Sequence, residues 1–243
     1  MRFRIMTYNV HKCVGGLDRR YDFSRVLDTI SFYSPDIVFL QEVENPTARG
    51  GYVSQVDLLG DRLGYAHRSF YPLLTRRDGG RYGNAILARS PFAETNHINL
   101  TVSIKKRRGA VHARLRLRSP SGRARTLHVY NLHLGLSGIE RKIQLRRFLA
   151  SHPFAGLHAR APIVVGGDFN DVWGTLGEKI LAPAGFRGLP RRLFTFPAFA
   201  PLRALDTFYI RGDVTIVHAQ KGQIAVSRRA SDHLPVIADM ELD

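Results

Sequence analysis

A single cysteine, Cys13, has no partner for a disulfide within the chain. That excludes a cystine-stapled scaffold and fits a reducing compartment. No stretch approaches the ~18 consecutive apolar residues that a membrane-spanning helix needs. Residues 1–10 alternate apolar and polar side chains, where a signal peptide would place a basic stretch before a continuous apolar core. These absences predict a cytoplasmic protein with no transmembrane segment. A His-Glu-x-x-His pair, a cysteine cluster and a Gly-x-x-x-x-Gly-Lys-Ser/Thr loop are all missing, so zinc-protease and P-loop chemistry have no basis here. Acidic residues are scarce: 20 Asp and Glu stand against 36 Lys and Arg, a formal net charge of +16. A field of that sign draws polyanions, whether nucleic acid, anionic phospholipid surfaces or small phosphorylated molecules. The same surplus also serves plain solubility.

What is present reads as one globular domain over residues 1–243, with 44% hydrophobic residues and enough length for a substantial core. Phe3 and Ile5, with Thr7, fall on one face of a first strand by period two. Residues 21–33 predict a helix whose stripe is Phe23, Val26, Leu27 and Ile30, ended by Ser34 and Pro35. Residues 36–40 and 162–165 predict buried strands, 55–63 a helix stopped by Gly64, and 83–88 a further strand. Residues 111–118 and 125–134 read as paired strands joined by a turn at 119–122. Residues 139–149 form an amphipathic helix, with Arg141, Lys142, Arg146 and Arg147 on its polar side. The last strand begins at Pro235. Many strands, few helices and hairpin-like neighbours predict mixed α/β packing with antiparallel pairs.

Short polar motifs stand at the ends of these apolar runs. They are Asn9, Gln41-Glu42, Asn131-Leu-His133, Gly167-Asp168-Phe-Asn170, Leu205-Asp206 and Ser231-Asp232-His233. A polar side chain just beyond a buried strand is rigidly held yet faces solvent, where site residues tend to sit. Glu42 and Asp232 are hard oxygen ligands suited to Mg²⁺, which takes only one or two protein carboxylates. Asn9 can add an amide oxygen. Asp168 and Asn170, two apart after a strand, can act on a water and on a phosphoryl oxygen. His133 and His233 supply donors for charge at a pentavalent phosphorus. Asp206 can orient the His233 imidazole.

The ordered set, together with Thr7-Tyr-Asn9, Leu40-Gln-Glu42 and Tyr82-Gly-Asn-Ala-Ile-Leu, resembles the endonuclease/exonuclease/phosphatase superfamily, the DNase I-like fold. The resemblance runs from about residue 3 to residue 240. It implies a four-layer α/β sandwich of two mixed sheets flanked by helices, and Mg²⁺- or Mn²⁺-dependent cleavage of phosphoester bonds. By position, Glu42 would be the principal metal ligand, with Asn9 and Asp232 beside the metal. Asp168 would position or deprotonate the attacking water, Asn170 would hold the phosphate, and His133 would serve the phosphoryl oxygens or leaving group. His233 with Asp206 would act as base or stabilise the transition state. One departure is Thr207, where the family often places an aromatic residue.

Asn131, Tyr82 and Phe199 are expected on the substrate side, Phe199 by stacking on a base or covering a lipid-like group. The basic runs 105–108, 191–192 and 228–229 lie in predicted loops, where they can track phosphates or simply be solvated. His11 and Lys12, next to Asn9, read as surface residues, with reach to the substrate as the alternative. The charge favours nucleic acid as substrate. The alternatives are a phosphodiesterase or phosphatase acting on phospholipid headgroups or small phosphate esters, and an inactive polyanion-binding module.

Overall fold

The computed structural model describes residues 1–47, 51–76, 79–103, 105–119 and 121–242. The expected turn at 119–122 includes Pro120, which lies outside the described residues. The first strand, β1 (Arg2–Asn9), alternates Phe3 and Ile5 with Met6 and Tyr8 on its other face. Helix α1 (Phe23–Tyr33) starts at Asp22, whose carboxylate accepts from the Ser24 amide, and stops at Ser34 in the left-handed region. Then follow β2 (Ile37–Asn45), α2 (Gln55–Leu63), β3 (His67–Thr75) and β4 (Arg81–Ala88). The second half runs β5 (Phe92–Asn99), β6 (Gly109–Arg118), β7 (Ala124–His133), α3 (Gly138–Leu149) and β8 (Ile163–Asp168). It closes with β9 (Arg187–Gly188), β10 (Asp206–Arg211), β11 (Val214–Lys221), α4 (Ser227–Ala230) and β12 (Val236–Leu242).

Two six-stranded sheets result, ordered β11-β12-β1-β2-β4-β3 and β5-β6-β7-β8-β10-β9. One apolar core lies between them, around Ile5, Phe39, Ile86, Val129, Val164 and Phe208. A second packs α1 and α2 on the first sheet, and a third packs α3 on the other. The expected α/β sandwich is therefore what forms. No helix among the described residues is long and apolar enough to cross a membrane.

The topology explains why the polar motifs converge. The pairs β1/β2 and β7/β8 are parallel, so Asn9 lies beside Gln41 and His133 beside Asp168. Strand β10 runs antiparallel to β8 with Asp206 opposite Asp168, and β12 runs antiparallel to β1. The carboxyl ends of four strands and the amino ends of two others thus meet at one edge of the sandwich. The Met1 ammonium donates to the Leu242 carbonyl at 2.6 Å, so the first and last strands are paired along their length.

Strands β3 and β5, which the sequence pattern did not announce, occupy sheet edges. Pro72 in β3 is tolerated there because an edge strand leaves one side without ladder bonds. Arg141 departs from its expected polar face. It is buried, and its guanidinium donates to the Leu136 and Gly135 carbonyls, closing the loop between β7 and α3.

Candidate active site

Strand β2 carries a bulge between Leu40 and Val43, and Glu42 sits in it with φ of 57°. The bulge turns the Glu42 side chain out of the ladder and leaves neighbouring backbone groups without strand partners. Asn131, reaching from β7 in the opposite sheet, covers them. Its amide nitrogen donates to the Leu40 and Ala85 carbonyls at 2.9 and 2.8 Å, and its oxygen accepts from Gln41 at 2.7 Å. Asn131 is fully buried and its polar atoms are committed. This corrects its expected place on the substrate side: it braces the segment that presents Glu42. Asn84 makes the reciprocal reach from β4, donating to the Gly109 carbonyl at 3.0 Å.

Asp168 stands at the centre of the edge. Its Oδ2 accepts from Asn9 Nδ2 at 3.0 Å and lies 3.4 Å from His133 Nε2 and 3.9 Å from His233 Nε2. Its Oδ1 accepts the Asn170 amide at 3.0 Å. Gly167 makes the preceding backbone turn possible, since at φ of 139° a Cβ would fall 1.9 Å from the Leu132 carbonyl oxygen. Burial pushes the Asp168 carboxyl up to about 7, against the facing His233 charge.

His233 Nδ1 lies 2.8 Å from Asp206 Oδ2, and Thr195 Oγ1 donates to the same oxygen at 2.5 Å. Burial alone would lower the imidazole, but Asp206, and behind it Asp168 and Asp232, prevail and raise it to about 10. His233 is therefore a cation held between two carboxylates, with the Phe196 ring 5.0 Å away. His133 goes the other way: burial and the nearby Arg108 charge hold it neutral, well below the ordinary value. Two imidazoles in one site thus have opposite protonation, one charged and one a neutral donor or acceptor.

Asn9 spends its amide nitrogen on Asp168 and its oxygen on the His11 backbone amide at 3.1 Å. It positions Asp168 and caps a turn, so neither end of the amide is idle. That turn is strained, with His11, Lys12 and Cys13 all at positive φ. It delivers Lys12 Nζ to 2.5 Å from Glu42 Oε2. Lys12 is thus inside the site, contrary to its expected surface role. Burial works to raise the Glu42 carboxyl, but the Lys12 ammonium outweighs it and holds it well below the carboxylate range, with His133 adding to this only in its protonated form. The Tyr82 hydroxyl faces Glu42 without a hydrogen bond of normal geometry. Asp232 lies on the other side of Asn9, 3.7 Å from His11 Nδ1. Asn170, at φ of 50°, donates to the Leu134 carbonyl at 3.1 Å. Phe199 is half-exposed on the loop whose Ala198 amide binds the Asp232 carbonyl.

The donor set suits a hard divalent ion. Glu42 is a carboxylate turned out of the β2 ladder, Asp232 stands near Asn9 as a second, and Mg²⁺ takes only one or two. Ligand atoms of Asp168, Asp206 and His233 also fall within 4.8 Å of one another, a group that could hold a metal. The His233–Asp206 hydrogen bond and the charged imidazole favour proton handling at that group. The sequence reading missed Thr195 and the true place of Lys12, because each acts through a tertiary partner with no local signature.

Comparison with known proteins shows the family and the fold. The model of the Endonuclease/Exonuclease/phosphatase family matches residues 6–233. The "Uncharacterized protein YbhP" of Escherichia coli K12 is 28% identical, covering 99% of this chain and 96% of its own. An endonuclease/exonuclease/phosphatase from Beutenbergia cavernae superposes with a TM-score of 0.79 at 25% identity, covering 99% of this chain and 72% of that one. D. rerio TDP2 complexed with a single-strand DNA product gives a TM-score of 0.72 at 22% identity, covering 99% of each chain. The human Nocturnin catalytic domain with bound sulfate gives 0.72 at 22%, covering 100% of this chain and 94% of that one. With the motifs in order and the strand ends gathered at one edge, the chain belongs to the endonuclease/exonuclease/phosphatase family, whose members are phosphoesterases and nucleases on a DNase I-like fold.

Proposed function

We propose that the protein is a divalent-metal-dependent phosphodiesterase that hydrolyses nucleic acid by in-line attack of water. The observation that carries this reading is the chain Asp206–His233–Asp168, joined at Asp168 by Asn9 and His133. Glu42, with Asp232 near Asn9, would hold Mg²⁺ or Mn²⁺, which when bound polarises the phosphoryl oxygen and neutralises charge there. Asp168, raised towards neutral pH, accepts a proton from the water. The cationic His233, kept so by Asp206, donates to the charge that develops on phosphorus. His133, neutral and facing Asp168, serves a phosphoryl oxygen or the leaving group, and Asn170 holds the phosphate.

Nucleic acid is favoured by the +16 charge and by the likeness to TDP2, a protein solved with a single-strand DNA product. Exposed Trp173 and Phe199 beside the site offer faces for bases. A second reading, cleavage of phospholipid headgroups, has one observation of its own: the aliphatic side chains of Leu136 and Leu202 on loops, and of Ile139 in the first turn of α3, are exposed.

The test is nicking of supercoiled plasmid by wild type and Glu42→Gln, with Mg²⁺ or with EDTA. Metal-dependent nicking by wild type alone is expected, with a loss of at least a hundredfold in the variant. Equal activity in Glu42→Gln would sink the metal assignment. No nicking, combined with headgroup release from anionic vesicles, would replace the nuclease reading with the lipid one.

A further inference from the structure

Arg108 ends the loop before β6. It is 5% exposed, its Nε has no hydrogen-bond partner, and no carboxylate among the described residues pairs with its guanidinium. A desolvated, unpaired guanidinium is costly, and proteins rarely keep one without an anion to meet it. Its place is fixed from behind, since Asn84 holds the Gly109 carbonyl and Thr101 Oγ1 accepts the Arg108 amide. Its charge reaches into the site, where it acts on both His133 and Tyr82.

Two further cations share this corner. Lys106 Nζ lies 5.1 Å from the centre of the Tyr82 ring, and Lys12 Nζ lies 5.3 Å from it. Partial desolvation and the Arg108 charge together hold the Lys106 ammonium below the ordinary lysine value. Of the three cations only Lys12 has a carboxylate, Glu42. Lys106 and Arg108 are left as two positive charges without a matching anion among the described residues.

We propose that Arg108 and Lys106, beside the Tyr82 ring, form an anion subsite that takes a phosphate dianion, the form carried by a phosphomonoester. A phosphodiester brings one negative charge; a phosphomonoester brings nearly two. The planar guanidinium can grip two of its oxygens and the ammonium a third. The inference rests on the phosphoesterase reading and narrows it to substrates with a terminal phosphate. That phosphate is either an anchor beside the bond that is cut or the reacting group itself.

The test begins with inorganic phosphate as probe, titrated calorimetrically at low ionic strength into wild type, Arg108→Met and Lys106→Ala. Phosphate binding by wild type, weakened roughly tenfold or more in each variant, is expected. Because Arg108 is an unpaired buried charge, Arg108→Met should also melt at a higher temperature than wild type, and phosphate should raise the melting point of wild type more than that of Arg108→Met. Undiminished phosphate affinity in Arg108→Met, absent binding by wild type, or a large fall in its melting temperature would overturn the subsite. Glu42→Gln should still bind phosphate while losing turnover, so a failed phosphoesterase reading is distinguishable from a failed subsite.

Single-stranded oligonucleotides with phosphate or hydroxyl ends then identify the source. A lower KM for the phosphorylated strand in wild type, with that preference collapsing in Arg108→Met, supports the subsite. Release of inorganic phosphate marks the dianion as the reacting group, and its retention on the product marks it as an anchor. Equal KM for both ends in wild type counts against the proposal.

Discussion

At the scale of single residues, the site depends on side chains that never touch substrate. Asn131 satisfies the Leu40 and Ala85 carbonyls that the β2 bulge sets loose, and so keeps Glu42 turned outward. Asn131→Ala should cost about 3 kcal/mol, because buried acceptors in both strands lose their donor. Urea unfolding would check this, and a loss below about 1 kcal/mol would remove Asn131 from that role. The same residue shows where sequence reading ran out. Glu42, Asp168, Asn170 and His233 were legible because each follows or precedes an apolar strand. Asn131 has that setting too, yet its atoms face inward, a fact that only the opposing sheet supplies. Lys12 was read as a surface residue and Arg108 only as part of a basic run that could track phosphates or be solvated, since burial by a neighbouring strand leaves no mark on local sequence.

At the scale of elements, β5, β6 and β7 carry a polar ladder of their own. Asn96 donates to His112 Nδ1 at 3.2 Å, which makes that nitrogen an acceptor, so His112 Nε2 donates to His128 Nδ1 at 3.1 Å. Burial is the main cause that lowers His112 to about 4, and it lowers His128 as well. A histidine depressed in the folded state is neutral in both states above its unfolded value near 6.5. As pH falls from about 6.5 towards 4 the unfolded chain binds protons that the folded one refuses, so stability declines across that window. The His112 contribution is on the order of 3 kcal/mol. Comparing urea midpoints at pH 7.5 and pH 5 in wild type and His112→Gln should show a smaller drop in the variant. Equal drops would place the acid sensitivity elsewhere. Strand β5 also explains an omission from the sequence reading: as an edge strand with one exposed face, FAETNHIN offers too few apolar residues to announce itself. The central strands β2 and β8, apolar on both faces, were plain.

At the scale of the whole molecule, charge and topology work together. The chain carries a surplus of 16 positive charges, and six strands deliver their polar ends to one edge. Binding of single-stranded DNA should therefore weaken steeply as salt rises, with log K falling linearly in log salt at a slope of about −0.7 per phosphate engaged. A flat response in a fluorescence anisotropy titration would remove the polyanion argument for substrate choice. Mixed α/β packing was legible from the strand-rich pattern and its hairpins, while the two-sheet sandwich was read from the family resemblance. The order of strands was not, because β12 pairs with β1 across nearly the full length of the chain. Long-range pairing of that kind delays completion of a sheet until its last member exists. On a ribosome, β1 is made first and must wait for β12, and Glu42 and Asp168 emerge long before His233. The candidate site is therefore completed only when β12 docks beside β1, which ties its assembly to the closing of the first sheet.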